Sequence, residues 1–298
     1  MSAGAYASLL ENAGHRVART ESAWWYEVHP HWFLSIPFHA EITPSPGEIN
    51  EVFGHGAWVL RYPCPVALGT PSYRIVCDDP GYDLATLSST ARRATRRGLE
   101  NCRVRRLPFA DLEAAGGLVV SQSTQERQHR TVPQDHDEYW RRHFTAAAAV
   151  EAAECWGAFV GDRLAGFLIT VTVDDCVYLP VLKSLTEHLG RYPNNALVYT
   201  VTQDALGRPD VTEVSWGLES LLSDLPGLDR FKLGMGFRQR PIGQRIEMTR
   251  WLATAARGPA TWAVRQYAAR RPGDQTIDRI ATTLRWHAGQ PRPGAERP

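Results

Sequence analysis

Of the 33 basic residues in this chain only two are lysines, Lys183 and Lys232; the other 31 are arginines. Where a generic cation suffices, this sequence writes Arg. The bias by itself reads as the mark of a GC-rich genome; against that background a surviving Lys stands out as a compact, rotatable ammonium whose pKa responds to its surroundings. Such a group can meet a developing oxyanion without a bidentate partner, and one donor so placed contributes ~3–4 kcal/mol. Lys232 follows Phe231 in a short helical run; the plainer readings are a surface lysine and a core phenylalanine. A second basic cluster, Arg92, Arg93, Arg96 and Arg97, lies at i, i+1, i+4, i+5 in SSTARRATRRGLENC. Ser88 or Ser89 caps that helix and Gly98 ends it, so the four share roughly one face. That face is either solvated surface or a phosphate-contact surface. No general base stands out, because Gln128-His129-Arg130, His136 and His143 have no carboxylate partner at a recognisable spacing. Five scattered cysteines without a C-x-x-C pair exclude a disulfide framework and a structural zinc site.

Charge is uneven along the chain. The net value is +1 over 298 residues, yet Arg238 to Pro298 carries 12 Arg, no Lys and 4 acids, a net of +8, against −7 for the rest. A basic end on an acidic body points to a polyanion docked at one end. The start, MSAGAYASLLENAGHRVA, reads as a short amphipathic helix and has neither the cationic start nor the apolar block of a signal peptide. No apolar run approaches a membrane span. A reducing cytoplasm is the compartment expected, with no membrane partner.

The elements that must position these residues follow from pattern. Residues 20–84 are strand-rich and aromatic, with runs at Trp24 to Val28, Trp32 to Phe38, Ala57 to Tyr62 and Tyr73 to Cys77 and a short helix over 47–54. From residue 101 a strand at Cys102 to Leu107 precedes helices at Pro108 to Arg130 and Asp135 to Ala149. Strands at Glu154 to Gly161, Leu164 to Val173 and Cys176 to Lys183 turn at Gly161-Asp162-Arg163 and Asp174-Asp175. A helix from Asn194 to Leu206, a strand from Thr212 to Gly217, a helix around Leu228 to Gly234 and a pair of strands within Phe237 to Arg250 complete the order. Residues 251–287 read as two helices bearing Arg, and the end, GQPRPGAERP, as a disordered tail. Tyr178 and Lys183 share one strand at an odd offset, which predicts opposite faces.

The order β-α-α-β-β-β-α-β-α-β-β, together with the strand pair AFVGDRLAGFLITV, resembles the GNAT acyltransferase fold. The resemblance implies an α/β (α+β) architecture: a mixed sheet whose fourth and fifth strands splay apart around an acyl donor. It sets the boundaries at 1–84 for a short degenerate GNAT-like lobe, 85–250 for the transferase domain and 251–298 for a basic helical extension. GNAT enzymes that use acetyl-CoA carry a Q/R-x-x-G-x-G/A loop after the fourth strand, whose backbone N–H groups hold the pyrophosphate. The corresponding stretch, Leu185 to Leu197, has one glycine, Gly190, and Pro193 removes a donor where the cradle should form. Three further pieces resemble the FemABX peptidyltransferase branch: SSTARRATRRGLE with Ser123-Thr124-Gln125-Glu126-Arg127; Pro193-Asn194-Asn195-Ala196-Leu197 running to Val214-Ser215-Trp216-Gly217; and Leu228 to Phe237 with its Phe231-Lys232.

The FemABX resemblance implies a tRNA-dependent aminoacyltransferase. It moves an aminoacyl group from its tRNA ester to the amine of a small acceptor, a peptide-like natural product or cell-wall-type precursor, and needs no cofactor or metal. In those terms Lys232 and Phe231 serve the reaction centre, and Lys232 meets the tetrahedral oxyanion of ester aminolysis. Tyr139, Tyr178, Asn194, Trp216 and Arg127 are the candidate substrate-binding residues, and Arg92, Arg93, Arg96, Arg97, Arg238 and Arg240 the candidate tRNA contacts. An ordinary N-acyltransferase using acyl-CoA and a non-catalytic RNA- or peptide-binding relic are the other readings.

Overall fold

A computed structural model describes residues 1–128, 132–221, 226–256, 266–267 and 275–291. The expected C-terminal tail beyond 291, His129, Arg130 and Trp262 lie outside them. In chain order the elements begin α1 (Ala3–Asn12), β1 (Val17–Arg19), β2 (Trp24–His29), β3 (Trp32–Ile36), α2 (Pro46–Gly54), β4 (Val59–Cys64) and β5 (Thr70–Cys77). They continue α3 (Ser89–Asn101), β6 (Arg103–Arg106), α4 (Phe109–Leu112), α5 (Gly117–Arg127), α6 (His136–Ala148), β7 (Ala153–Val160), β8 (Arg163–Val173) and β9 (Cys176–Ser184). Last come α7 (Pro193–Leu206), β10 (Glu213–Leu218), α8 (Pro226–Gly234), β11 (Arg238–Met248), α9 (Arg250–Ala255) and α10 (Gln275–Gly289).

These elements form two compact units. The first comprises Met1–Gly14, Ile75–Gly217 and Asp229–Arg238; the second comprises His15–Arg74, Leu218–Leu228 and the chain from Gln239 onward. The blocks 1–84, 85–250 and 251–298 do not coincide with these units. Helix α1 belongs with the first unit because Tyr6 packs on Tyr178, ring centroids 6.2 Å apart.

The first unit is built on the strand order β10-β9-β8-β7-β6, parallel between β10 and β9 and antiparallel elsewhere. Its hairpins turn where the polar pairs stand: Gly161 takes φ 58° and Asp174 φ 54°, the left-handed backbone that tight connections require. Helices α1, α5 and α6 pack on this sheet, and Trp140, Phe144, Phe159, Phe167 and Ile169 form the core between them. The long helix expected over Pro108–Arg130 is broken into α4 and α5 at Gly116, whose φ of 98° no helix accommodates.

Pairing between β9 and β10 covers only Cys176↔Glu213 to Tyr178↔Ser215. Beyond it the remainder of β9 pairs with β8 alone, so the two strands part at Ser215, as the splayed GNAT pattern requires. The second unit carries the order β1-β2-β3-β4-β11, again with a single parallel pair, β3 with β4. One long strand, β11, replaces the two strands expected within Phe237–Arg250.

Candidate active site

The Phe231-Lys232 turn is fixed by the backbone around it. Helix α8 ends at Gly234, whose carbonyl accepts from Ser88 N at 3.0 Å. Tyr82 donates to Met235 O at 2.8 Å, and the Met235 sulfur is met by Asn195 Nδ2 from α7 at 3.3 Å. Gly236 turns at φ 86° with the Tyr82 ring 3.0 Å from where a Cβ would stand. A side chain there would push the turn away from Tyr82.

Held in this way, the Lys232 ammonium lies 5.4 Å from the centre of the Trp216 ring and 3.8 Å from Asp229 Oδ1. Its side chain is only 12% exposed. Burial lowers its pKa from the ordinary lysine value, and the Asp229 carboxylate works against that shift. Trp216 is the first residue of β10 beyond its pairing with β9, so the ammonium sits where the strands part. The Trp216 ring is steadied by Phe237 at 6.0 Å. Trp216 Nε1 is buried without a hydrogen-bond partner among the described residues, and so is Asn194 Oδ1 on the first turn of α7. Both are buried polar atoms whose hydrogen-bonding capacity is left open.

Sequence reasoning missed Asp229, which i,i+3 spacing on a short helix would have signalled. The FemABX-derived residues divide. Lys232, Trp216 and Phe231 share the α8–β10 corner, with Asn194 on α7. Arg127 instead spans the β9–α7 connection, donating to Ser184 O at 3.0 Å and Thr186 Oγ1 at 3.2 Å. That connection is a 3₁₀ helix over Thr186–Arg191, followed by Tyr192 in the left-handed region and Pro193.

Tyr178 is 1% exposed and packs on Tyr6, in the core rather than on the gap. Nor do Tyr178 and Lys183 face opposite ways. The β8 register runs Ile169↔Val181 and then Val171↔Tyr178, so β9 holds an extra residue at Leu179–Pro180. That bulge resets the alternation and turns both side chains toward the face covered by α1 and α6, where Lys183 lies 5.2 Å from the Trp140 ring. Tyr139 packs between Trp140 and His143, and its burial raises the phenol pKa. His136, read as lacking a carboxylate, bonds Asp137 Oδ1 at 2.9 Å and Ser121 Oγ at 3.2 Å; Ser121 is fully buried, so this chain of groups is structural.

The arginine helix separates by hydrogen bonding. Thr95 and Gly98 form its buried face, with Tyr192 O 2.7 Å from where a Gly98 Cβ would stand, so α3 lies flush on α7. Arg92 is half-buried and engaged: its Nε donates to Leu84 O at 2.7 Å and its Nη2 to Ala85 O and Leu87 O. Arg93, Arg96 and Arg97 are exposed and make no hydrogen bond or ion pair through their side chains to the described residues. Arg238 is held by Asp78, Nε to Oδ1 3.0 Å, which raises its pKa. Arg240 belongs to the second unit, where it is half-buried and engaged.

The site is thus a mixed sheet opened between two parallel strands, with an ammonium at the opening. Residues 85–233, half of the chain, match the family described as Acetyltransferase (GNAT) domain, and the chain belongs to that family. Among solved structures, FemX shares the fold over 83% of this chain and 92% of its own, with TM-score 0.56 and 11% identity. The C-terminal domain assigned to a lysylphosphatidylglycerol synthetase from Agrobacterium fabrum does so over 84% and 90%, at TM-score 0.56 and 11% identity. At such identities the likeness is one of fold. A search of curated proteins gives no match. Among the described residues no helix is long and apolar enough to cross a membrane.

Proposed function

We propose that this acyltransferase takes an aminoacyl group from aminoacyl-tRNA and joins it in amide linkage to the amine of a small acceptor in the cytoplasm. The observation that carries the reading is the Lys232 ammonium, buried under Trp216 where β9 and β10 part. The acceptor nitrogen attacks the ester carbonyl, and the charge that collects on its oxygen takes a hydrogen bond from Lys232 Nζ. Collapse breaks the ester C–O bond; the ribose oxygen leaves and ends with the proton that the attacking nitrogen loses. Lys232 is unchanged over the cycle, which is what an oxyanion donor requires. An activated ester needs little base assistance, so the structural role of His136 is no obstacle.

Support for the donor comes from the β9–α7 connection. A 3₁₀ helix tied to Arg127 and a proline at the start of α7 stand where acetyl-CoA enzymes of this fold place a pyrophosphate cradle. The three exposed arginines of α3 supply a phosphate-contact face on the helix whose N-terminal cap holds Gly234. Asn194 Oδ1 and Trp216 Nε1 are buried polar atoms without a partner among the described residues, one on the first turn of α7 and one beside Lys232.

The test supplies the protein with a panel of amines and either charged tRNA or acetyl-CoA, and measures amide formation by mass. Product from charged tRNA alone is expected. Product from acetyl-CoA alone, or calorimetry showing micromolar CoA binding, returns the chain to the acyl-CoA reading.

A further inference from the structure

The second unit contains a cavity of about 370 Å³ that the transfer chemistry does not use. It lies within the ~300–1,000 Å³ span of small-molecule sites. Its floor is the β4–β11 ladder, where Arg245 stands directly opposite Tyr62 and Glu247 follows two residues along. Period-two alternation puts all three on one face, while Ile246 and Met248 turn to the core on the other. Ile42, Ile49 and Leu68 supply apolar walls. Helix α2, which carries Ile49, is anchored by a capping box between Ser45 and Glu48, and by Ser22 N and Oγ donating to Glu48 Oε1 at 2.7 and 2.6 Å.

The polar groups at the floor are partly spoken for, and what remains open has a definite pattern. Arg245 Nε donates to Glu247 Oε1 at 2.5 Å, and Arg245 Nη1 to Leu68 O at 2.7 Å and Pro291 O at 3.2 Å. Arg245 Nη2, Glu247 Oε2 and the Tyr62 hydroxyl make no hydrogen bond to the described residues. Burial pushes the Tyr62 phenol well above its ordinary pKa, so it stays a donor. The cavity thus offers two donors, one anionic acceptor and no net charge. A lone anion or a lone cation would leave one buried charge unmatched, which is costly. A zwitterion matches both.

We propose that this cavity binds a free α-amino acid with an apolar side chain. Its carboxylate lies on Arg245 Nη2 and the Tyr62 hydroxyl, its ammonium on Glu247 Oε2, and its side chain against Ile42, Ile49 and Leu68. The site is separate from Lys232 and does not rest on the proposed donor.

Calorimetry on the full chain tests it with leucine, leucinamide and 4-methylpentanoate, in the absence of any acyl donor. Leucine is expected to bind, and each truncated analogue to bind at least ~10-fold more weakly, because each carries a net charge into a site whose Arg245–Glu247 pair leaves it neutral. Glu247→Gln should weaken leucine to a similar degree, and Ile49→Trp should fill the cavity and abolish binding with the thermal transition retained. Should either variant fold poorly, Tyr62→Phe deletes only a hydroxyl without a partner, and it too should weaken leucine. No heat from leucine at millimolar concentration, equal binding of leucine and leucinamide, or a Tyr62→Phe chain that binds leucine unchanged would each overturn the proposal.

Discussion

Lys232 is buried, cationic and shielded by an aromatic face, a combination that stability alone does not favour. Its folded pKa lies below its unfolded one. The unfolded chain therefore binds more protons between the two values, and the stability contributed at this position rises with pH across that window. Lys232→Met is expected to melt at or above the parent temperature at neutral pH, while Lys232→Ala loses ~10²–10³ in kcat with donor affinity little changed, the loss expected of one oxyanion donor. Lys232→Arg, wider and planar, should recover little. Single-turnover kinetics with filter binding of tRNA separates these outcomes; a variant that loses only tRNA affinity makes Lys232 a phosphate contact. Asp229 offers a second check, because its carboxylate opposes the fall in the Lys232 pKa. Asp229→Asn should move the alkaline limb of kcat to lower pH, and a limb that stays in place removes Lys232 as the titrating donor.

At the scale of the element, α3 carries two kinds of arginine that look identical in sequence. Arg92 holds three carbonyls of the loop before its own helix, whereas Arg93, Arg96 and Arg97 point outward. Arg92→Gln should then cost about 1–3 kcal/mol of stability, the penalty for carbonyls left without their donor, and leave the salt dependence of tRNA binding alone. Replacing Arg93, Arg96 and Arg97 together with Gln should instead leave the melting temperature in place. The slope of log affinity against log salt should flatten by about one unit for each phosphate that the variant no longer neutralises. Titrations at several salt concentrations read both. A slope unaffected by the triple replacement assigns this face to solvent.

For the whole molecule, the distant ends of the chain matter. The first unit recruits Met1–Gly14, and Tyr6 at 3% exposure lies on Tyr178 beneath the very strand that opens the site. Tyr6→Ala should lower unfolding free energy by about 3–5 kcal/mol through the cavity it leaves. Urea titration followed by Trp fluorescence measures this, and a midpoint equal to the parent's would place α1 outside the cooperative unit.

What the sequence determined by itself was whatever neighbours along the chain decide. Ser88 caps α3, Gly161 and Asp174 turn the hairpins, and the apolar runs become β7, β8 and β9 within a residue or two of where they read. The scarcity of lysine singled out Lys183 and Lys232 alike, and the splay was what the GNAT resemblance implied. Tertiary structure alone decided the rest, because those outcomes depend on atoms far apart in sequence. One extra residue against Thr170 turned Tyr178 and Lys183 to the same face, and no local pattern announces a bulge whose partner strand sets the register. Loop carbonyls claimed Arg92 and left Arg93 pointing to solvent. The cavity in the second unit needed Tyr62 and Arg245, 183 positions apart, to meet across one ladder. Periodicity and capping act over a few residues, but charge pairing and burial act wherever the fold brings side chains together.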